Sequence, residues 1–472
     1  VKAAPAPVWA LAAAVVGSGM SFIDGTAVNV ALPVLQRDLG ASAESVAWVV
    51  EGYTLFLSAL MLIGGSLGDR FGRRRVYALG IALFAIASVA CGLATNVDAL
   101  IVARCVQGIG GALATPGSLA LIAASYEGAA RGRAIGTWSG ASAVLSALGP
   151  VLGGALVQAG SWRYVFLINL PLAALVLVVL ALRVRESRDP SAVGGIDVPG
   201  AVLVTLGLGA LVYGLIRLQS GIDSPGIVAV AAGTCALAAF VVVERRSAHP
   251  MASLDLFGSR TFTVANLYTF LLYATLGGGL YFIPFDLIDA RGYAPAIAGA
   301  ALLPFVAIVF PLSRFSGGLV ARIGPRIPLS AGAALVGAAF VVFALAQRDA
   351  PYWTSFFPGA VLLGLGGAAF VAPLTTTVMS AIESSHAGMA SGINNAVSRT
   401  AGLVAIACLG IAFAHSLGAH LGAHGGAAYA AAFRATMLWC AFVAVCAAIV
   451  ALAGFVENAP RPLSIVDPRR DR

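Results

Sequence analysis

Runs of about 20 apolar residues recur from one end of the chain to the other, and that pattern leaves very few folds open. A helix of about 20 residues is what crosses a hydrocarbon core roughly 30 Å thick. Within lipid the backbone must satisfy its own hydrogen bonds, so only helices and closed barrels span it. A barrel needs segments of about ten residues that alternate in polarity, and no such alternation is present. Fourteen candidate spans follow, near 9–33, 45–67, 76–95, 98–124, 132–158, 163–182, 197–216, 225–243, 262–288, 295–321, 327–346, 353–380, 387–413 and 430–455. Composition agrees, since 10% of the 472 residues are charged, against roughly 25% in a soluble domain. The longest polar links, 183–196 and 244–261, are too short to fold alone.

Arginine placement orients the chain. Of 28 basic residues all but Lys2 are Arg, and they sit in short loops rather than on one soluble face. The net charge of +8 is therefore not a nucleic-acid footprint. One side of the spans carries Lys2 and eighteen Arg; the other carries five, namely Arg37, Arg163, Arg217, Arg291 and Arg348. The positive-inside rule then places both termini in the cytoplasm. The N-terminal segment reads as a first span, not a removable signal peptide.

The chain also repeats itself. Gly65-x-x-x-Asp69-Arg70-Phe71-Gly72-Arg73-Arg74 follows the second span, and Gly317-x-x-x-Ala321-Arg322-Ile323-Gly324-Pro325-Arg326 recurs 252 residues later, after the tenth. Six spans precede the first long link and six follow the second. The expected organisation is thus an N-terminal six-helix bundle (1–183), a linker with two inserted helices (184–260), a C-terminal six-helix bundle (261–457) and a cytoplasmic tail (458–472). Two related bundles are a common transporter design, with the substrate site between them near the midplane.

Four motifs in order make the likeness specific. Gly64-Gly65-Ser66-Leu67-Gly68-Asp69-Arg70-Phe71-Gly72-Arg73-Arg74-Arg75 resembles the loop signature of the major facilitator superfamily. Asp24-Gly25-Thr26-Ala27-Val28-Asn29-Val30-Ala31-Leu32-Pro33 resembles the first-span motif of its fourteen-span drug:proton antiporter branch. Ala103-Arg104-Cys105-Val106-Gln107-Gly108 is similar to the fourth-span motif, and Leu148-Gly149-Pro150-Val151-Leu152-Gly153-Gly154 to the fifth-span antiporter motif. The resemblance covers the N-terminal half closely, and the C-terminal half through span count and the degenerate repeat. It implies an all-α fold of two six-helix bundles plus two inserted helices, and a cytoplasmic latch at Gly65, Asp69, Arg70, Gly72 and Arg73. It further implies proton coupling through Arg104, brings Asn29 into the proton and substrate set, and assigns export to Gly149, Pro150, Gly153 and Gly154.

Each motif also has a plain physical reading. The loop glycines permit a sharp turn between packed helices, and its arginines alone would fix topology. Asp69 can accept bonds from a helix N-terminus or a nearby Arg. In the second copy Ala321 stands where that acid would be, so the latch belongs to the first copy. In the fifth span, small residues on one face allow close helix approach, and Pro150 bends the helix.

Acids inside the membrane carry the most information, because intramembrane charge is costly and functional by default. Asp24 lies midway along the first span, and Glu51 about two turns into the second. Either can bind and release a proton or hold a cationic substrate; a polar tie between helices is the alternative for both. Arg104 is the natural counter-charge, since a buried unpaired guanidinium is very costly. Asp286 and Asp289 close the ninth span, where they attract cations at an outer vestibule or are simply solvated. Gln107 is a candidate lining residue of a central cavity, and Arg314 and the stripe Asn394, Asn395 and Arg399 line it too or pack between helices.

Other chemistry finds no support. No P-loop, GxSxG elbow or HExxH helix is present, so neither ATP nor enzymatic turnover is expected; no cofactor is expected either, and the resemblance implies the proton as coupling ion. Six cysteines lie in apolar runs without CxxC spacing and read as packing residues. His415, His420 and His424 sit in a Gly/Ala stretch, and a metal site there is not expected. The reading is an alternating-access antiporter in a bacterial inner membrane, exporting small hydrophobic or cationic molecules as a monomer among lipids. A lipid or metabolite exporter or importer on the same fold is the alternative, and a non-transporting sensor or channel the third.

Overall fold

A computed structural model describes residues 7–188, 197–247, 250–316, 319–382, 387–419 and 425–455. Fourteen helices in it are long and apolar enough to cross a membrane. They are α1 (Val8–Leu39), α2 (Ala43–Phe71), α3 (Arg73–Gly92), α4 (Val97–Ser125), α5 (Arg133–Gln158), α6 (Tyr164–Arg183) and α7 (Val198–Arg217). Then follow α8 (Ser224–Arg246), α9 (Arg260–Ala290), α10 (Pro295–Ser313), α11 (Arg326–Leu345), α12 (Phe357–Ser380), α13 (Met389–Leu417) and α14 (Ala428–Gly454).

Their ends are set by ordinary capping chemistry. Ser42 accepts the Ser45 N–H at 3.1 Å to start α2, and Asn96 accepts the Ala99 N–H at 2.8 Å to start α4. Asp223 accepts the Gly226 N–H at 2.8 Å to start α8, and that bond holds its carboxyl below the usual range. At the turn between α2 and α3, Gly72 has φ 116°; its counterpart before α11, Gly324, has φ 72°. Both lie where a side chain is strained. Both copies of the repeat therefore place a positive-φ glycine ahead of the next helix, although Gly317 lies outside the described residues. The ninth span ends in a π-helical turn over Asp286–Ala290.

Packing follows the two-bundle plan. In the first half α1 lies on α5, and α4 on both α2 and α3; in the second, α9 lies on α13 and α14, α10 on α12, and α11 on α12 and α14. The halves meet chiefly where α5 packs on α10, α2 on α13, and α1 on α9. Of the inserted pair, α7 packs against both α2 and α13, while α8 rests on α7. Leu208, Val212 and Ile216 of α7 share one apolar cluster with Leu55 of α2 and Leu403 of α13. The Gln219 amide extends that bridge by donating to the Ala407 carbonyl at 3.2 Å. The insertion is thus a cover over one seam between the halves. The tail from 456 onward, with its four Arg, lies outside the described residues.

Candidate functional site

The first-span acid is enclosed by its own half. Asp24, Ser88, Arg104, Gln107 and Asn169 are all fully buried, and they come from α1, α3, α4 and α6. Arg104 donates from Nη1 to Asp24 Oδ2 at 2.5 Å and to Gln107 Oε1 at 2.6 Å, and from Nε to the Val49 carbonyl at 2.9 Å. Gln107 Nε2 donates to Asp24 Oδ1 at 2.9 Å and to Ser88 Oγ at 2.9 Å. Asn169 Nδ2 reaches the same two acceptors at 3.0 and 3.2 Å. The guanidinium lies 4.2 Å from the Tyr53 ring centroid and 5.7 Å from that of Phe166, so aromatic faces share its charge. Arg104 and Gln107 share one face because they are three residues apart on a helix. The expected counter-charge is in place, and Gln107, expected to line a cavity, is instead a strut of this network.

Glu51 is the opposite case. It too is fully buried, yet neither carboxyl oxygen has a hydrogen-bond partner. It faces the other half, with Tyr281 of α9 and Cys408 of α13 within electrostatic reach. In this structure it makes no hydrogen-bonded tie between helices. Asn29, also on α1, has an unpartnered buried Oδ1.

Other expected residues sort by the same geometry. Arg399 of α13 comes within 5.6 Å of the Phe22 ring of α1 and within electrostatic reach of Tyr53 and Tyr273, which places it between the halves. Asn394 instead turns into its own bundle, donating to Asn266 Oδ1 at 3.1 Å and Thr269 Oγ1 at 2.8 Å of α9. Asn395 is exposed and bonds the Ser391 carbonyl one turn back. The side chain of Arg314 lies outside the described residues, as do His420 and His424. Asp286 is neither solvated nor open to a vestibule. It is buried and accepts from Arg291 Nε at 2.6 Å, and Arg291 also takes the Ala346 and Gln347 carbonyls beyond α11. The π-helical turn brings the two side chains together. Asp289 remains partly exposed and pairs with Arg37 of α1 at 3.6 Å across the halves.

The fifth-span glycines divide between two faces rather than one. A Cβ on Gly149 or Gly153 would overlap α1 at Thr26 or Ala27, whereas one on Gly154 would overlap the Pro295 carbonyl of α10. Gly299 of α10 returns the contact, since a Cβ there would overlap the Pro150 carbonyl. Each pair four residues apart shares a helix face, and a one-residue offset turns the second pair toward the other half. Together with Arg37–Asp289, this contact closes the Arg-poor end of the seam.

Comparison with known proteins now places the chain. The model of the Major Facilitator Superfamily matches residues 14–406. The chain belongs to the Major Facilitator Superfamily. It is 37% identical over 408 residues to "Multidrug resistance protein Stp" of Mycobacterium tuberculosis, covering 85% of this chain and 75% of that one. It is 38% identical over 400 residues to "Lincomycin resistance protein" of Streptomyces lincolnensis, covering 84% and 82%. The fold alone is shared with a peptide transporter POT in complex with sulfate, at TM-score 0.66, 16% identity and coverage of 95% and 94%. Membership makes the chain a transporter of small molecules and not an enzyme.

In this superfamily member the signature loop is held by a residue that its motif does not contain. Asp69 accepts from Arg73 Nε at 2.7 Å, within the loop itself. The α3 N-terminus is capped from the far end of the half: Glu186 accepts the Arg74 N–H at 3.0 Å and the Arg75 N–H at 3.2 Å, while the Ser187 carbonyl accepts the Arg73 N–H at 2.9 Å. Carboxylates favour such positions because free amides and the helix dipole meet there. Glu186 stands in a charged link where any acid reads as solvated, so sequence reasoning passed over it. Ser88 and Asn169 were missed for a similar reason, since single small polar residues in apolar spans carry no pattern. The buried acid at Asp24 was the one available signal, because it must find donors.

Proposed function

We propose that the protein is a proton-coupled exporter of small hydrophobic or cationic molecules, working by alternating access in a bacterial cytoplasmic membrane. The observation that carries this reading is Glu51, fully buried, unpartnered and facing the second half. A buried carboxyl with no donor is stable there only when neutral or matched by an arriving cation. Proton and substrate therefore compete for it, which is the condition for exchange. Asp24 stays in its network and presents Arg104 as fixed charge. The Arg-rich end is taken as cytoplasmic, so the closed Arg-poor seam is the outer gate. Each inward proton supplies about 2.3 kcal/mol per 100 mV of membrane potential. The names of the relatives, for multidrug and lincomycin resistance, support drugs as cargo. One chain holds both halves, and we take the monomer as the working unit.

The test is proton movement in proteoliposomes, read by an interior pH dye, with a panel of cationic and neutral hydrophobic compounds. Wild type is expected to show substrate-triggered proton flux, and Glu51→Gln to lose it by at least about tenfold, on the order of 1.4 kcal/mol in coupling. Substrate flux without proton movement in wild type would overturn coupling and leave a facilitator.

A further inference from the structure

At the Arg-rich end of the inserted hairpin two acidic side chains meet in a buried place. Asp197 precedes α7 and caps it, its Oδ1 accepting the Gly200 N–H at 2.8 Å. Glu244 lies near the end of α8, and its Oε2 accepts the Ala252 N–H at 3.3 Å. Their exposures are 7% and 3%. The two carboxyl groups are within hydrogen-bonding reach of each other, yet Asp197 Oδ2 and Glu244 Oε1 have no donor. Carboxylate oxygens only accept, and two ionised ones in contact repel strongly away from water. A single proton placed between them would make one oxygen a donor and satisfy both atoms at once. Among the described residues, the groups facing Glu244 are Asp197, ahead of α7, and the backbone amides of Met251 and Ala252 from the segment after α8. Arg245 and Arg246, next along α8, are exposed.

We propose that Asp197 and Glu244 form a second proton-binding site, in which one shared proton fastens the base of the α7–α8 hairpin to the segment leading into α9. The site is separate from Glu51 and from the seams between the halves. Its consequence runs through α7, which packs on α2 and α13 together. A fastened base holds the cover in place while the halves move; loss of the proton leaves two repelling carboxylates and loosens it. The site thus reads pH at the Arg-rich face, independently of transport.

Hydrogen exchange of residues 244–258 in lipid nanodiscs, corrected for the chemical exchange rate, tests this on the full chain. Between about pH 6 and about pH 9, wild-type protection is expected to fall by about tenfold or more. Glu244→Gln supplies a permanent donor, so its protection should persist across the range. Asp197→Asn makes the same substitution from the other side and serves if the first variant folds poorly. In a Glu51→Gln background, which removes the other buried carboxyl without a partner, infrared difference spectra should show a protonated-carboxyl stretch that fades with rising pH and is missing when Glu244→Gln is added. Wild-type protection that does not change with pH, or spectra lacking that component, would overturn the proposal. So would protection that rises with Mg²⁺ or Ca²⁺ at fixed pH and vanishes in Glu244→Gln, since that outcome marks a metal site.

Discussion

Asp24 and Glu51 stand on neighbouring helices of the same half, both without solvent exposure, and their surroundings are opposite. Asp24 takes bonds from Arg104, Gln107 and Asn169; Glu51 takes none. Desolvation costs both groups alike, so what separates them is preorganised donors. Evolution of a rigid bundle gives a carboxylate its partners from within one half, where helices keep their distances. A group that must change state cannot be saturated in that way. The contrast teaches that burial alone does not tell the two acids apart; what distinguishes Glu51 is burial without a partner.

The strongest attempt to break the comparison is Arg104→Ala. It strips Asp24 Oδ2 of its donor and leaves a charge in the bundle core, a change that costs about 3–5 kcal/mol when one member of a buried pair is lost. Thermal unfolding in detergent should show a large fall in midpoint, and the double variant Asp24→Asn with Arg104→Gln should recover most of it. An Arg104→Ala protein as stable as wild type would mean that the network is not structural, and the distinction from Glu51 would collapse.

Next in size is Glu51→Gln, with the opposite sign. Removing an unpartnered ionisable group relieves a desolvation penalty, and the expected gain is about 1 kcal/mol of stability alongside the loss of proton flux. Stability and transport thus move in opposite directions at Glu51, whereas loss of the Asp24 partner lowers stability. A Glu51→Gln protein that unfolds earlier than wild type would reveal a partner that Glu51 holds in another state.

How much of this was readable beforehand depends on whether the cause is local. Span positions follow from apolar runs, and the turn glycines Gly72 and Gly324 from the repeat, since each is fixed by its own few residues. Arg104 was legible as the partner of Asp24 because a buried guanidinium must have one. The first span, expected to end near 33, runs on to Leu39 because Pro33 is accommodated inside a long helix and Gly40 ends it at φ 58°. What resisted reading was set by distant neighbours. Whether Glu51 finds a donor depends on where α9 and α13 lie. Asp286 was placed at a boundary, and only the π-helical turn shows that it closes on Arg291. The two faces of the Gly149–Gly154 stretch became distinct only with α10 in place.

Asn169→Ala offers the finest test of the comparison. The substitution removes two bonds, to Asp24 Oδ1 and to Ser88 Oγ, but both acceptors keep Gln107 Nε2. It also removes the Asn169 Oδ1 atom, itself buried without a donor, which offsets part of the loss. Net hydrogen bonds are worth about 1 kcal/mol each, so the cost should come to about 1 kcal/mol, well below that of Arg104→Ala. Because Asp24 retains Arg104 and Gln107, proton-coupled flux should stay within about threefold of wild type. The two measurements together decide how the network works. A small stability loss with near-normal flux means that redundancy protects Asp24, as its three donors suggest. A collapse of flux without loss of stability would make Asn169 a participant in proton movement and would bring Asp24 onto the same footing as Glu51.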